Sequence, residues 1–451
     1  MTKSDTFVAL STPAGESAIA LIRLSGAFCT VISEQLLTKD VKPRYAHYIA
    51  YRSVSGQWLD DCVMTYFQPG ASFTGDAMLE IASHGNPLII HNILKDLQAR
   101  GCRLAEPGEF SKTAFLNGRI DLSQAEAISD LIRARSDRAL AVAERQMHGA
   151  IGRKMSELTN RLLVIVASFE AYIDFPEEDL PDENQAGPIQ EIKLLIKELS
   201  NIIDTNEFRS VLSAGIKTLI VGEPNAGKSS LINALTGSDR SIVSQQPGTT
   251  RDYIAATIML NGWAIELIDT AGLHATSDSI EQLGIERTLE QANNADFFLL
   301  VLDAVKPSPS LPSAIIDRMH ENNTIVLENK CDLPHLHPHA DFYPQCLHQQ
   351  MCLSGDIKGL TQLRSQWSQL IEKNLSSLSH DAIVVNARHV KALSAARSAL
   401  ELARQQANES ELSELIVCEL RVAIEQLGAV VGTIDNEQML DCLFNQFCIG
   451  K

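Results

Sequence analysis

Lys217-Thr218-Leu219-Ile220-Val221-Gly222-Glu223-Pro224-Asn225-Ala226-Gly227-Lys228-Ser229-Ser230 is the stretch that decides the fold. Its apolar start reads as a buried strand, its GxxxxGKS as a phosphate loop, and the following SLINALTG as a helix. Glycines let backbone N–H groups wrap phosphate oxygens, and the helix amino terminus adds favourable partial charge. Asn225, Ala226, Gly227, Lys228, Ser229 and Ser230 are therefore expected to line a nucleotide. Lys228 should reach the β- and γ-phosphates, while the Ser229 hydroxyl ligates Mg2+.

Working outward, Gln246-Pro247-Gly248-Thr249-Thr250 reads as a loop ordered by the γ-phosphate, with Thr250 completing the magnesium shell. Asn261-Gly262 should turn a hairpin whose second strand, WAIELI, delivers Asp269, Thr270, Ala271 and Gly272 at its carboxyl end. Asp269 is expected to hold magnesium through water, and the Gly272 N–H to sense the γ-phosphate. Asn329, Lys330, Cys331 and Asp332 end the run TIVLE. Guanine offers two N–H donors on one edge, which the Asp332 carboxylate can accept together; adenine would leave that carboxylate unpaired. Leu353, Ser354 and Gly355 should back the base. The set describes a domain that binds and hydrolyses GTP. Leu273 stands directly after DTAG, however, and leucine cannot orient a water. Glu281, Asp278 and Arg251 are the candidates for that work, with a monovalent cation held partly by Asn225.

The chain around this domain has 451 residues, too many for one compact core. Apolar residues make up 45%, and no run is long enough to cross a bilayer, so a cytoplasmic protein with no membrane association is expected. Nine cysteines without a CxxC pair argue against a disulfide framework or a structural zinc site. A net charge of -18 excludes nonspecific nucleic-acid binding by the whole surface, so any RNA contact must be local or shared.

Residues 1–118 mix short apolar runs with turn signals and suggest an N-terminal α+β domain. From 119 to 214 apolar residues recur at three- and four-residue spacing, which predicts long helices, with the acidic, proline-bearing stretch 174–188 breaking them. Residues 215–375 alternate buried-strand runs with helical segments, an α/β pattern, and from 376 to 451 the helical period returns. The fold class expected is multidomain α/β plus α. An N-terminal α+β domain precedes a helical bundle formed by two chain segments, into which a P-loop (Ras-like) α/β G domain is inserted.

GEPNAGKSS, PGTTRD, DTAGLH, NKCD and the terminal FCIGK, taken with TPAGESAIALIRLSG, PGASFTGDAMLEIASHG and RLAEPGEFSKTAFLNGRIDLSQAEAISDLI, resemble the MnmE (TrmE) tRNA-modification GTPase family over essentially the whole length. The resemblance implies a homodimer built through the N-terminal domains and G domains that meet with K+ between them. Asn225, Ser244, Gln246 and Thr249 would hold that potassium, Gln245 would lie in the same loop, and Glu281 would help orient the water. It also implies an MnmG-type flavoprotein partner and tRNA as substrate. Together they would install an aminomethyl or carboxymethylaminomethyl group at carbon 5 of the wobble uridine. The carbon would come from a tetrahydrofolate derivative, with Arg23, Glu80, Arg119 and Lys451 as contacts. Cys448 is a candidate nucleophile of the family; its apolar neighbours Phe447 and Ile449 equally suit a packing role. Gln245, Gln246, Pro247, His274, Asn86 and Arg119 depart from the family pattern. An alternative from another class is a regulatory GTPase switch in ribosome assembly or RNA metabolism, which would bind no folate.

Overall fold

In a computed structural model, the structure describes residues 5–37, 41–174, 183–237, 254–269, 291–309, 311–334, 337, 339, 342–353, 356–375, 383–409, 413–432, 444, 447 and 450. The chain divides into two compact units. One takes residues 1–129, 146–179 and 409–451, and the other 130–145 and 180–408.

The first unit is built on six strands: β1 (Phe7–Leu10), β2 (Ser17–Ser25), β3 (Ala46–Arg52), β4 (Trp58–Phe67), β5 (Met78–Gly85) and β6 (Arg103–Leu104). Their order is β3-β4-β5-β2-β1-β6, antiparallel except for the β1–β6 pair. Alternation decides what each face does. Ile22, Leu24, Ile49, Tyr51, Met64, Leu79 and Ile81 form one core with Cys29, Ile32, Ile93 and Leu97 of the helices Phe28–Leu36 and Pro87–Ala99. Asn86 starts the second of these helices: its Oδ1 accepts from Leu88 N–H at 2.8 Å, ahead of a proline that suits the first helical position. On the opposite face Ile19, Tyr48 and Val63 stay exposed. In the same unit the helix Ala150–Asp174 packs along Ser413–Val431, with Arg421 donating to Glu170 at 2.7 Å.

The second unit carries β7 (Ile216–Val221), β8 (Ile254–Leu260), β9 (Trp263–Asp269), β10 (Phe297–Asp303), β11 (Thr324–Asn329) and β12 (Leu347–Met351). Their order is β12-β11-β10-β7-β9-β8, and every pair but β8–β9 is parallel. Both faces are buried, which is why these strands read as unbroken apolar runs. Ile220, Leu267, Leu299 and Leu327 pack on one side with Leu231, Leu363 and Trp367. Leu219, Phe298, Leu300 and Val326 pack on the other with Ala292, Ile315 and Met319. The helix Glu183–Asp204 lies against Ala387–Asn408, so here too a segment before the G domain pairs with one after it.

The helices expected from residue 119 onward form, and one local reading needed correction. The long helical stretch after residue 122 is three helices, Leu122–Arg133, Asp137–Met147 and Ala150–Asp174. Gly149, with φ +79°, makes one break, while Ser136 makes the other by accepting Ala139 N–H at 3.1 Å as an N-cap. The break expected through residue 188 ends earlier, because the helix already runs from Glu183 and includes Pro188. Pro188 is the sixth residue of this helix, past the first four N–H groups that have no intrahelical partner, so it removes one bond of the ladder. The hairpin expected at Asn261-Gly262 forms, with both residues at positive φ as a type I′ turn requires. Arg138 holds its tip: its N–H donates to Gly262 O at 3.2 Å, and its guanidinium lies 4.9 Å from the Trp263 ring centre. That contact explains why residues 130–145 belong to the unit that holds the G domain.

Candidate functional site

The phosphate loop leaves the carboxyl end of β7 and feeds the helix Lys228–Gly237. β7 is the point where the order of parallel strands reverses, with β9 on one side and β10 on the other, and such a crevice is where ligands collect in open α/β sheets. A Cβ at Gly222 would strike the Val301 carbonyl of β10, and one at Gly227 would strike the Asn329 side-chain amide. These two glycines are therefore required by close approach. Asn225 adopts φ +65°, an uncommon left-handed turn for a side-chain-bearing residue. Lys228 is buried, and its ammonium donates to the carbonyls of Gly222 at 2.7 Å and Glu223 at 2.9 Å. Burial lowers its pKa, opposed by the nearby Asp269 and Glu223 carboxylates. Such a group gains most from a phosphate, which offers it charge without water.

Asn329 joins the phosphate loop to the base-reading loop. Its Nδ2 donates to Ala226 O at 2.8 Å, and its Oδ1 accepts from Leu353 N–H at 3.2 Å. Asn329 is buried at the end of β11, Asp332 is exposed just beyond it, and Cys331 Sγ donates to Glu328 O at 3.1 Å. Burial raises the pKa of the half-buried Cys331 thiol, which disfavours the thiolate. Ser229 and Ser230 stand exposed on the first helical turn, and half-buried Asp269 ends β9. A hydroxyl and a carboxylate are hard oxygen donors, the type that suits magnesium. Ser244, Gln245, Gln246, Pro247, Gly248, Thr249, Thr250, Thr270, Ala271, Gly272, Glu281, Ser354 and Gly355 lie outside the described residues, as do Arg251, Leu273, Asp278, Cys448 and Lys451.

In the first unit the register makes Arg23 the direct cross-strand partner of Glu80, and Glu80 also pairs with Thr65. Arg23 Nε donates to Glu80 Oε1 at 2.8 Å, with both side chains about a quarter exposed, at 28% and 23%, on the face where the helix Glu109–Leu116 covers only Phe7, Ala9 and Met78 nearby through Phe110. Arg119 is exposed and lies against Gly75, in the loop that leads into β5. A second polar pair shares the β4–β5 edge of this sheet: His84 Nδ1 lies 2.8 Å from the buried Asp60, which also accepts His84 N–H.

Two family descriptions match this chain: "MnmE helical domain" over residues 122–448 and "GTP-binding protein TrmE N-terminus" over residues 6–119. A tRNA modification GTPase MnmE of Opitutus terrae is 43% identical over 447 residues, 99% of each chain. Its namesake from Akkermansia muciniphila is 39% identical over 452 residues, again 99% of each, and that of Aquifex aeolicus 37% over 450, covering 99% of this chain and 100% of its own. The chain belongs to the MnmE family. The match of both flanks separates this MnmE-family chain from GTPases that share only the G domain.

Sequence reasoning missed one charged residue within the MnmE G domain. Asp303 ends β10 as an acidic close to an apolar strand, and the structure puts its carboxylate 2.6 Å from Lys330 Nζ. An aspartate at that strand end, one strand over from the base-reading loop, was the available signal. Among the described residues no helix is long and apolar enough to cross a membrane.

Proposed function

We propose that this GTPase works with an MnmG-type flavoprotein to modify carbon 5 of the tRNA wobble uridine, adding an aminomethyl or carboxymethylaminomethyl group from a tetrahydrofolate one-carbon unit. The observation that carries the reading is the pairing, in one chain, of a guanine-nucleotide cradle tied together by Asn329 with the quarter-exposed Arg23–Glu80 pair on a partly open sheet face.

For GTP, Lys228 holds the β- and γ-phosphates from within its ring of carbonyls, and Asp332 accepts the two N–H groups of the guanine edge. Ser229, Thr250 and, through water, Asp269 would hold magnesium, which when bound neutralises charge on the phosphates. Potassium would be held by Asn225, Ser244, Gln246 and Thr249, and Glu281 would orient the water that Leu273 cannot. For the folate, Glu80 would accept two hydrogen bonds from the pterin amide edge while Arg23 keeps its carboxylate aimed. Arg119 and Lys451 suit the glutamate tail, and Cys448 would sit near the carbon unit. The exposed Ile19, Tyr48 and Val63 on the partly open sheet face favour a homodimer through the N-terminal domains.

Mass analysis of wobble uridines from cells lacking the chain tests the reading. The carbon-5 groups should vanish and return with the wild-type gene. Their persistence at wild-type levels would overturn it.

A further inference from the structure

Lys330 sits in the base-reading loop, but its charge is committed elsewhere. Its ammonium lies 2.6 Å from Asp303 Oδ2. Asp303 and Asn329 are register partners at the carboxyl ends of β10 and β11, so the ion pair closes the strand pair at the rim where the base-reading loop begins. The Asp303 side chain is 3% exposed, against 32% for Lys330. A carboxylate so deeply placed needs fixed partners, because an unpaired buried charge is costly. Asp303 has them: Val305 N–H donates to Oδ1 at 3.2 Å, and Lys330 takes the other oxygen. Burial works to raise its pKa, yet these bonds and the Lys330 and Lys306 charges leave it lowered, so the group stays ionised.

The backbone around Asp303 is fixed as well. Its carbonyl accepts Lys306 N–H at 3.0 Å and lies 3.4 Å from the ring Nε2 of the buried His339. The next residue, Ala304, donates its N–H to Asn329 O at 2.9 Å. By contrast, Lys330 carries strain. Its φ is +66°, a left-handed conformation that a lysine keeps only where its surroundings impose it. An ammonium held at a rigid aspartate leaves the four methylenes of Lys330 as a partly exposed apolar strip, two residues in sequence before the carboxylate that reads the base. A planar purine needs such a wall, because an edge-on carboxylate alone fixes neither its height nor its tilt.

We propose that Asp303 is a positioning residue for guanine recognition, holding the Lys330 stem as one wall of the slot in which the base meets Asp332. This inference rests on the GTP-binding reading of the site. It assigns separate tasks to the two acidic residues of this rim: Asp332 sets which base binds, and Asp303, acting through Lys330, sets how long any base stays.

The test is the release rate of a fluorescent GDP from the full-length chain, by stopped flow, for wild type, Asp303→Asn, Lys330→Met and the double variant. Each single change should speed release about tenfold, as loss of one charged hydrogen bond implies. The double variant should be no faster than either single one, because both remove the same wall. Inosine diphosphate, which lacks the amino group that Asp332 reads, should be released faster by the same factor as GDP, leaving the ratio of the two rates at its wild-type value. Asp303→Glu should restore part of the slow release. Unchanged release in Asp303→Asn would overturn the proposal, as would single effects that multiply in the double variant. A collapse of the guanine-over-inosine ratio in Asp303→Asn would overturn it too, since that marks loss of the whole loop. Lys330→Met leaves the buried aspartate's backbone bonds in place and supplies the same readout if Asp303→Asn unfolds. Failure of the wild-type chain to retain GDP would instead sink the underlying reading of the site, a result distinguishable from all of these.

Discussion

The two sheets have six strands each and solve burial in opposite ways. In the β7–β12 sheet the inner strands β10 and β11 are buried along their whole length, and the polar groups of the site gather at the carboxyl ends: Asp269, Asp303 and Asn329 are the last residues of β9, β10 and β11. In the β1–β6 sheet one face is covered only in part, by Phe110 against Phe7, Ala9 and Met78, and Arg23 and Glu80 meet solvent from mid-strand positions. A strand-end site is assembled from loops and can close around its ligand. A sheet-face site is rigid, and must borrow its cover from elsewhere.

The largest effect should come from the buried sheet's own packing. Trp367 is fully buried against the β7–β12 core, and Trp367→Ala should lower unfolding free energy by roughly 3–5 kcal/mol in denaturant titrations. Tyr48→Ala, on the open face of the other sheet where the ring is 74% exposed, should stay within about 0.5 kcal/mol in the same assay. A large loss at Tyr48 would break the comparison, because it would mean that this face is covered, within one chain or by a second copy.

Next in size is the separation of the two sites. Lys228→Ala should cut GTP hydrolysis by about 10²- to 10³-fold, followed by phosphate release, as loss of a preorganised cation at the phosphates implies. Binding of 5-formyl-tetrahydrofolate, measured by calorimetry, should not change. Glu80→Gln should do the reverse, weakening the folate roughly tenfold or more through loss of one charged hydrogen bond, while phosphate release keeps its wild-type rate. If both variants impaired both measurements alike, the two sheets would not carry separable sites.

How much of this could be read from sequence follows from how local each signal is. The phosphate loop, the Asn261-Gly262 turn and the unbroken apolar strands are decided by neighbours in the chain, and all three form as read. Ser136 was also local, a capping serine three residues before the N–H it accepts, but the apolar period of its surroundings masked it. Non-local contacts were less legible. Arg23 and Glu80, 57 residues apart, suit an ordinary structural pair by their opposite charges alone, and the β2–β5 register is what brings them into contact. Asp303 and Lys330 are likewise 27 residues apart, brought together by the parallel register of β10 and β11. Resemblance to the MnmE family supplied Arg23 and Glu80 as a set, but gave no reason for their contact.

The smallest expected effect sharpens the account of the strand-end site through pH. Burial lowers the Lys228 pKa from 10.5 in the nucleotide-free chain, whereas phosphates beside the ammonium favour its charged form and raise it again. Two slopes of opposite sign follow in the window between the lowered value and 10.5. Without nucleotide the unfolded chain binds more protons at this lysine than the folded chain, so folding stability rises with pH across the window. With nucleotide the folded site takes up a proton on binding, so GDP affinity falls as pH rises through the same window. Lys228→Arg, whose guanidinium does not titrate there, reports every other group, the purine included. The wild-type affinity should therefore fall a few-fold more steeply than that of Lys228→Arg in fluorescent-GDP titrations, by less than tenfold per pH unit for a single proton. Parallel slopes would mean that the lysine keeps its ordinary charge in the empty cradle, and that the carbonyls of Gly222 and Glu223 already replace the water it lost.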